Sequence, residues 1–247
     1  LQAVNGEKVT VEVQGPYGKP MQAYYGILPD GTAVVEMAAC AGLPLVGKQL
    51  CPDKTTTYGV GQLILHAAQS GCKKIIVGLG GSCTNDAGAG AAAACGVKFL
   101  NEQGQAFVPT GGTLGDVERI DMSARSPLLS GVEIVAMCDI DNPLYGPQGA
   151  AAIFGPQKGA DEKMVAFLDQ GLRHLSEIYE RETNMQPAQT HGAGAAGGMG
   201  FGMLAFLGAS LQMGIETVLD ISLNPLEQSG LLRSAETLRQ TIDSLAL

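Results

Sequence analysis

The chain has 247 residues, 45% hydrophobic and 16% charged, with a net charge of −9 and a pI near 4.8. That length supports a sizeable core in one large domain or two small ones, and the acidic balance argues against a nucleic-acid or anionic membrane partner. The longest apolar runs are too short to cross a bilayer. Absence of Trp, with aromatics at 5%, disfavours a surface that stacks sugars or single-stranded nucleic acid.

In chain order, residues 8–13 (KVTVEV) alternate and predict a strand. The GPYGKP cluster at 15–20 predicts a turn, residues 21–28 a second strand, and TAVVEMA after Pro29-Asp30-Gly31 a third, together an antiparallel meander. Thr55-Thr56-Thr57 precede a helical pattern with Leu63, Ile64, Ala67 and Ala68 on one face. Residues 73–79 (KKIIVGL) predict a strand covered on both faces. The run GGSCTND then enters an Ala-rich helix that Gly96 stops, and VKFL at 97–100 predicts another strand. Residues 113–130 read as irregular or helical, and 132–140 as a second buried strand. A helix starts at Asp161, with Met164, Phe167, Leu168, Leu172, Leu175 and Ile178 at helical spacing. Residues 191–209 are glycine-rich and then apolar, and 228–247 predict a terminal amphipathic helix. The alternation predicts an α/β fold, a mixed β-sheet flanked by helices.

The six cysteines contain no C-x-x-C pair and only three His accompany them, which argues against a zinc site. They read as reduced, mostly buried thiols of a cytoplasmic protein. No signal peptide opens the chain, and it begins without Met inside a strand-like pattern, so a processed or excised piece is expected.

Four constellations can carry chemistry. In the first, Gly80 and Gly81 let backbone N–H groups approach an anion, the following helix start adds unpaired donors, and Ser82, Thr84 and Asn85 add polar groups. The same residues could equally make a tight turn and a helix cap, and Asp86 suits a helix dipole without any function. The second is Asp139 and Asp141 with Asn142-Pro143, after a buried strand: two carboxylates that could hold Mg²⁺ or take a proton, or an Asx-type turn. The third is Lys158 between glycines, a point charge for a phosphate or a solvated turn residue. The fourth, Gly194, Gly197 and Gly198, is a second anion loop or a close helix-packing surface. His66, His174 and His191 read as structural. A dinucleotide-binding reading rests on Gly78, Gly80 and Glu102, but Cys83 holds the third glycine position. No G-K-[ST] follows these glycines, which excludes the usual Walker loop.

Taken in order, IIVGLGGSCTNDAGAG, CDIDNPLYGPQGAAAIFGPQKGA and GAGAAGGMGFGMLAFLGA resemble the type I glycerate kinases, with EMAACAGLPLV and TTTYGVGQLI matching earlier segments of that family. The resemblance runs from about Lys8 to Asp220 and implies the family's inserted domain, one of two α/β domains flanking an active-site cleft. The family's opening Ala-Pro-Asp-Ser-Phe-Lys stretch and its Ala-Asp-Gly-Gly-Glu-Gly-Thr motif are missing, and the tail departs from the family pattern. The implied division is a glycerate-kinase-like domain over 1–222 and a helical tail over 223–247.

The implied reaction is ATP- and Mg²⁺-dependent phosphoryl transfer to glycerate, at the 2-hydroxyl. Asp139 falls on the family's Cys-Asp-x-x-Asn-Pro acid and would position or deprotonate that hydroxyl, while Lys158 would offset developing charge. Gly80, Gly81, Ser82, Thr84, Asn85, Asp86 and Asn142 would bind substrate, Gly194, Gly197 and Gly198 the nucleotide, and Asp141 the metal. A missing partner domain or a homo-oligomer would complete the site. Two other readings stand beside this one: a non-catalytic binding or assembly module that keeps the fold, and a dinucleotide-binding oxidoreductase.

Overall fold

Alternating side chains build β1 (Glu7–Gln14) and β2 (Pro20–Ile27), which pair antiparallel along their whole length, and β2 continues antiparallel into β3 (Ala33–Glu36). These strands form the predicted meander. The computed structural model describes residues 5–213. After β3 come a single turn, α1 (Ala38–Ala41), and the twelve-residue α2 (Tyr58–Gln69). Leu63, Ile64 and Ala67 of α2 are buried, as their spacing predicts.

The next strand, β4 (Lys74–Gly78), lies parallel to β3. Its burial alternates, with Ile75 and Val77 in the core and Lys74, Ile76 and Gly78 half-buried, so the second face is less covered than the apolar run predicts. The Ala-rich helix that follows, α3 (Ala89–Ala94), is shorter than its composition suggests. Ala87 and Gly88 adopt left-handed backbone (φ 53° and 70°), and a side chain at Gly88 would come within 3.1 Å of the Gly202 Cα. The left-handed backbone takes those residues out of the helix.

Strands β5 (Lys98–Leu100), β6 (Ala106–Phe107) and β7 (Arg119–Asp121) make a separate three-stranded sheet with β5 at its centre. β7 lies in the stretch read as irregular or helical, and its three residues are too few to show a period. The main sheet resumes with β8 (Glu133–Cys138), parallel to β4. Then follow α4 (Ala150–Phe154), the long α5 (Glu162–Thr183), α6 (Ala195–Ala205) and β9 (Ser210–Met213), parallel to β8. Asp161 caps α5 through its side chain, which accepts from the Met164 N–H at 2.8 Å. Phe167, on the predicted apolar face of α5, is instead exposed. The predicted helix over 228–247 and the division at 222/223 lie outside the described residues.

The six-stranded sheet therefore runs β1-β2-β3-β4-β8-β9, antiparallel at one end and parallel over its last four strands. Register stacks Val35, Val77 and Ala136 in one row, all buried. It also aligns Glu36, Gly78 and Met137, so three parallel strands end at one edge of the sheet and release their loops side by side. That edge is where open α/β sheets place ligands. Two apolar cores lie on either side of α3 and α6. One joins the sheet to Val60, Leu63, Met199 and Met203, and the other gathers Phe99, Leu172, Tyr179, Phe201 and Phe206.

Candidate functional site

The loop leaving β4 is pinned on several sides. Leu43 N–H donates to the Gly81 carbonyl and Cys83 N–H to the Ala41 carbonyl, which join this loop to the one leaving β3. The Thr55 hydroxyl donates to the Cys83 carbonyl at 3.0 Å. Gly80 and Gly81 stay exposed, whereas Ser82 is buried and Thr84, Asn85 and Asp86 are fully so. Among the described residues the N–H groups of Gly80, Gly81 and Ser82 donate to no protein acceptor, which leaves three consecutive donors at the sheet edge.

Lys158 comes from a 3₁₀ turn after α4 and is 2% exposed. Its Nζ donates to Ser82 Oγ at 2.8 Å and to the Thr84 carbonyl at 2.6 Å. Burial is the largest influence on the ammonium and draws it down to about 8. Because Ser82 Oγ accepts from Lys158, its own proton remains available to donate.

Lys158, Gly80, Gly81, Ser82 and Asp139 line one cleft of about 280 Å³. Asp139 reaches it from the loop after β8 and is exposed. Ala195 and Ala196, at the entry of α6, close the far side. A cleft with exposed backbone donors, a buried cation and an accessible carboxylate can hold an oxyanion and accept a proton beside it. A larger cavity of about 410 Å³ lies elsewhere, beside the small sheet, and its wall includes Glu102, Asp116 and Glu118. Three carboxylates there suit no anion. Glu102 therefore faces a different cavity from Gly80, and the dinucleotide reading loses its ribose-binding acid.

Several expected ligands sit elsewhere. Thr84, Asn85 and Asp86 do not line the cleft but lie beneath it. The helix start expected to cradle an outside anion is occupied by the chain's own carboxylate. Asp86 accepts from Gly88 N–H (3.2 Å) and Gly90 N–H (3.3 Å) of the α3 entry, and from Thr57 N–H (2.7 Å) and Thr57 Oγ1 (2.9 Å) before α2. Burial pushes its carboxyl up, and these four donors oppose that shift.

The glycines of 191–200 resolve toward packing. A Cβ on Gly194 would stand 2.2 Å from the Pro143 carbonyl, on Gly197 1.9 Å from the Thr84 carbonyl, and on Gly198 2.8 Å from Ala87 Cα. Ala196, Gly197 and Gly198 are all left-handed, which turns the chain sharply within the first turn of α6, under the cleft. In the loop after β8, Asn142 Nδ2 donates to the Gln148 carbonyl at 2.8 Å, and Asp141 faces His191 at 3.8 Å, both exposed. His66 Nδ1 meets the Tyr25 hydroxyl and His174 Nε2 the Val117 carbonyl, consistent with structural roles.

Sequence reasoning passed over Thr55 and Thr57, which hold the 83–91 segment. A run of three threonines directly before a helix is the signal that could have marked them.

The profile of the Glycerate kinase family matches residues 1–229. A glycerate kinase of Halalkalibacterium halodurans is 47% identical over 89% of this chain and 58% of its own length. A glycerate 2-kinase of Escherichia coli K12 is 45% identical over 88% and 58%. A crystal structure from Salmonella typhimurium LT2, described as a glycerate kinase 2, superposes with a TM-score of 0.84 at 43% identity, covering 87% of this chain and 58% of that one. The chain thus spans a little under three-fifths of the length of the relatives it matches, and neither the oxidoreductase reading nor the non-catalytic one finds support among them. A fold, an aligned set of strand ends and these relatives agree: the chain belongs to the glycerate kinase family.

Proposed function

We propose that this chain supplies one wall of the active site for ATP-dependent phosphorylation of glycerate, at the 2-hydroxyl. The observation that carries the reading is the meeting of Gly80–Ser82, Lys158 and Asp139 on one cleft. The three backbone donors, the Ser82 hydroxyl and the Lys158 ammonium bind the carboxylate of glycerate or a phosphate of ATP. Asp139 takes the proton of the attacking hydroxyl on a carboxylate oxygen, a role suited to an exposed acid facing that anion site. Asp86 and the glycines of 194–198 act one layer back, by fixing the backbone that carries the donors.

Among the described residues no three His, Cys, Asp or Glu gather around a point, so no metal cage is built from protein alone. Mg²⁺ carried on phosphates needs only one or two carboxylates, and the exposed Asp141 beside the cleft loop fits that mode. When bound, the ion would neutralise phosphate charge. A further domain or a second copy would supply the facing wall. No helix of the described residues is long and apolar enough to cross a membrane, and a cytoplasmic location fits a nucleotide co-substrate.

The test is calorimetric titration of the chain with glycerate and with Mg-ATP, together with ADP release by the complete natural protein. Heat on mixing with either ligand and glycerate-dependent ADP release are expected. Neither ligand binding, with no ADP released, would overturn the reading.

A further inference from the structure

Two opposite charges are buried against the same 82–86 loop, and among the described residues neither has an ion partner within hydrogen-bond distance. Lys158 Nζ touches only a hydroxyl and a carbonyl. Asp86, 0% exposed, touches only N–H and O–H donors. The 82–86 loop links them: Lys158 holds Ser82 and Thr84, and Asp86 lies two residues further on. An ammonium removed from water without a nearby negative charge tends to lose its proton.

Three groups could keep Lys158 charged. Cys83 is close, but burial pushes its thiol up to about 11, so it stays neutral when the amine titrates. Asp139 shares the cleft, yet it is exposed and screened by solvent. The other cleft walls contribute Leu43, Phe154, Gln157, Ala195 and Ala196, which bear no charge. Among the described residues, Asp86 alone is both buried and acidic.

The hydrogen bonds around Asp86 also fix its charge state. Thr57 Oγ1 accepts from Ala91 N–H at 2.9 Å, so its proton is directed to Asp86 Oδ2. Thr57 N–H and Gly90 N–H donate to the same oxygen, and Gly88 N–H donates to Oδ1. Among the described residues four hydrogen bonds are donated to Asp86, three of them from backbone N–H groups that cannot accept, and donors of this kind favour the ionised carboxylate. This environment is built for a carboxylate.

We propose that Asp86 is the buried counter-charge that holds Lys158 protonated at the cleft, a positioning residue that acts through Lys158 without touching substrate. The proposal rests on the reading of Lys158 as the cleft's cation. Asp86 thereby has two functions: it fastens the entries of α2 and α3, and it sets the field at an ammonium held by the same loop.

The experiment follows Lys158 in the complete protein by site-resolved ¹³Cε-lysine NMR across pH 6–11, with the pH dependence of kcat/KM for glycerate alongside. Asp86→Asn is expected to move the Lys158 titration, and the alkaline limb of kcat/KM, down by a pH unit or more, at least about fivefold less charged amine at pH 8. Thr57→Val, which removes a hydrogen bond but no charge, is expected to lower stability and leave the titration in place. Cys83→Ala is expected to leave it in place as well. An unmoved titration in Asp86→Asn, or one moved in Cys83→Ala, would overturn the proposal. If Asp86→Asn fails to fold, the ¹³Cγ shift of Asp86 in the wild type decides, since a neutral carboxylic acid at pH 7 would equally overturn it. Absence of glycerate turnover in the wild type counts against the functional reading alone, because the NMR titration needs no activity.

Discussion

The loops that leave β4 and β8 end at the same sheet edge and face the same cleft, yet they are held in opposite ways. The β4 loop descends at once into the interior, where Thr55, Thr57 and Lys158 satisfy its carbonyls and its carboxylate. The β8 loop stays at the surface, with Asp139 and Asp141 exposed and few side-chain anchors such as that of Asn142. Binding an anion by backbone donors needs atoms that do not move, because donor positions must match the ligand before it arrives. Accepting a proton asks for an acid that water and substrate can reach. The two loops separate those demands between a fixed half and an accessible half.

Substitutions should distinguish the halves by kind as well as by size. Gly197→Val puts a branched side chain at φ 73° where even a Cβ would stand 1.9 Å from the Thr84 carbonyl. A loss of about 4 kcal/mol in urea unfolding is expected, from left-handed strain and overpacking together. Gly31→Ala, also left-handed (φ 82°) but with open space around it, should lose only about 1 kcal/mol. Equal losses would show that the cleft floor has slack.

Lys158→Met probes the fixed half through pH. Burial lowers the folded amine from 10.5 to about 8, so between those values the unfolded chain binds more protons than the folded one. Stability from this group therefore rises with pH over that window, by on the order of 3 kcal/mol, and Lys158→Met should flatten the rise in chemical denaturation at pH 8 and pH 10. Turnover runs the other way and should fall as pH climbs past about 8. A variant that keeps the wild-type slope would mean Lys158 titrates normally.

On the accessible half, Asp139→Asn in the complete protein should lower kcat at least about a hundredfold, about 2.7 kcal/mol, without changing the melting temperature. Full turnover would remove Asp139 as the base. The smallest effect belongs to His191→Ala, which breaks an exposed pair at 3.8 Å and should move the melting temperature by less than about 2 °C.

The main sheet was legible in the chain because its strands are long enough to show alternation or an apolar run, and α5 because its stripe and Asp161 cap fall in register. The small sheet was not, since β6 and β7 have two and three residues and their pairing with β5 is non-local. Strand-end loops marked Gly80, Ser82 and Asp139 as candidates, and the parallel register explains why those loops are neighbours in space, while Lys158 reaches the same cleft from the 3₁₀ turn after α4. What the linear pattern hid was depth. Thr84, Asn85 and Asp86 carry the polar atoms expected of ligands, but a glycine-lined approach of α6 covers them from behind. Nothing in the local residue order distinguishes a donor aimed at solvent from one aimed inward.

Helix α6 belongs to both apolar cores at once: Met199 and Met203 pack toward the sheet, while Phe201 and Phe206, the latter just past its end, stack edge-on with Tyr179 and each other. Neither core can melt while the other keeps its half of that helix in place. Heat or denaturant should thus meet a single cooperative unit, and the turn that carries Ala195 and Ala196 into the cleft inherits the rigidity of the whole.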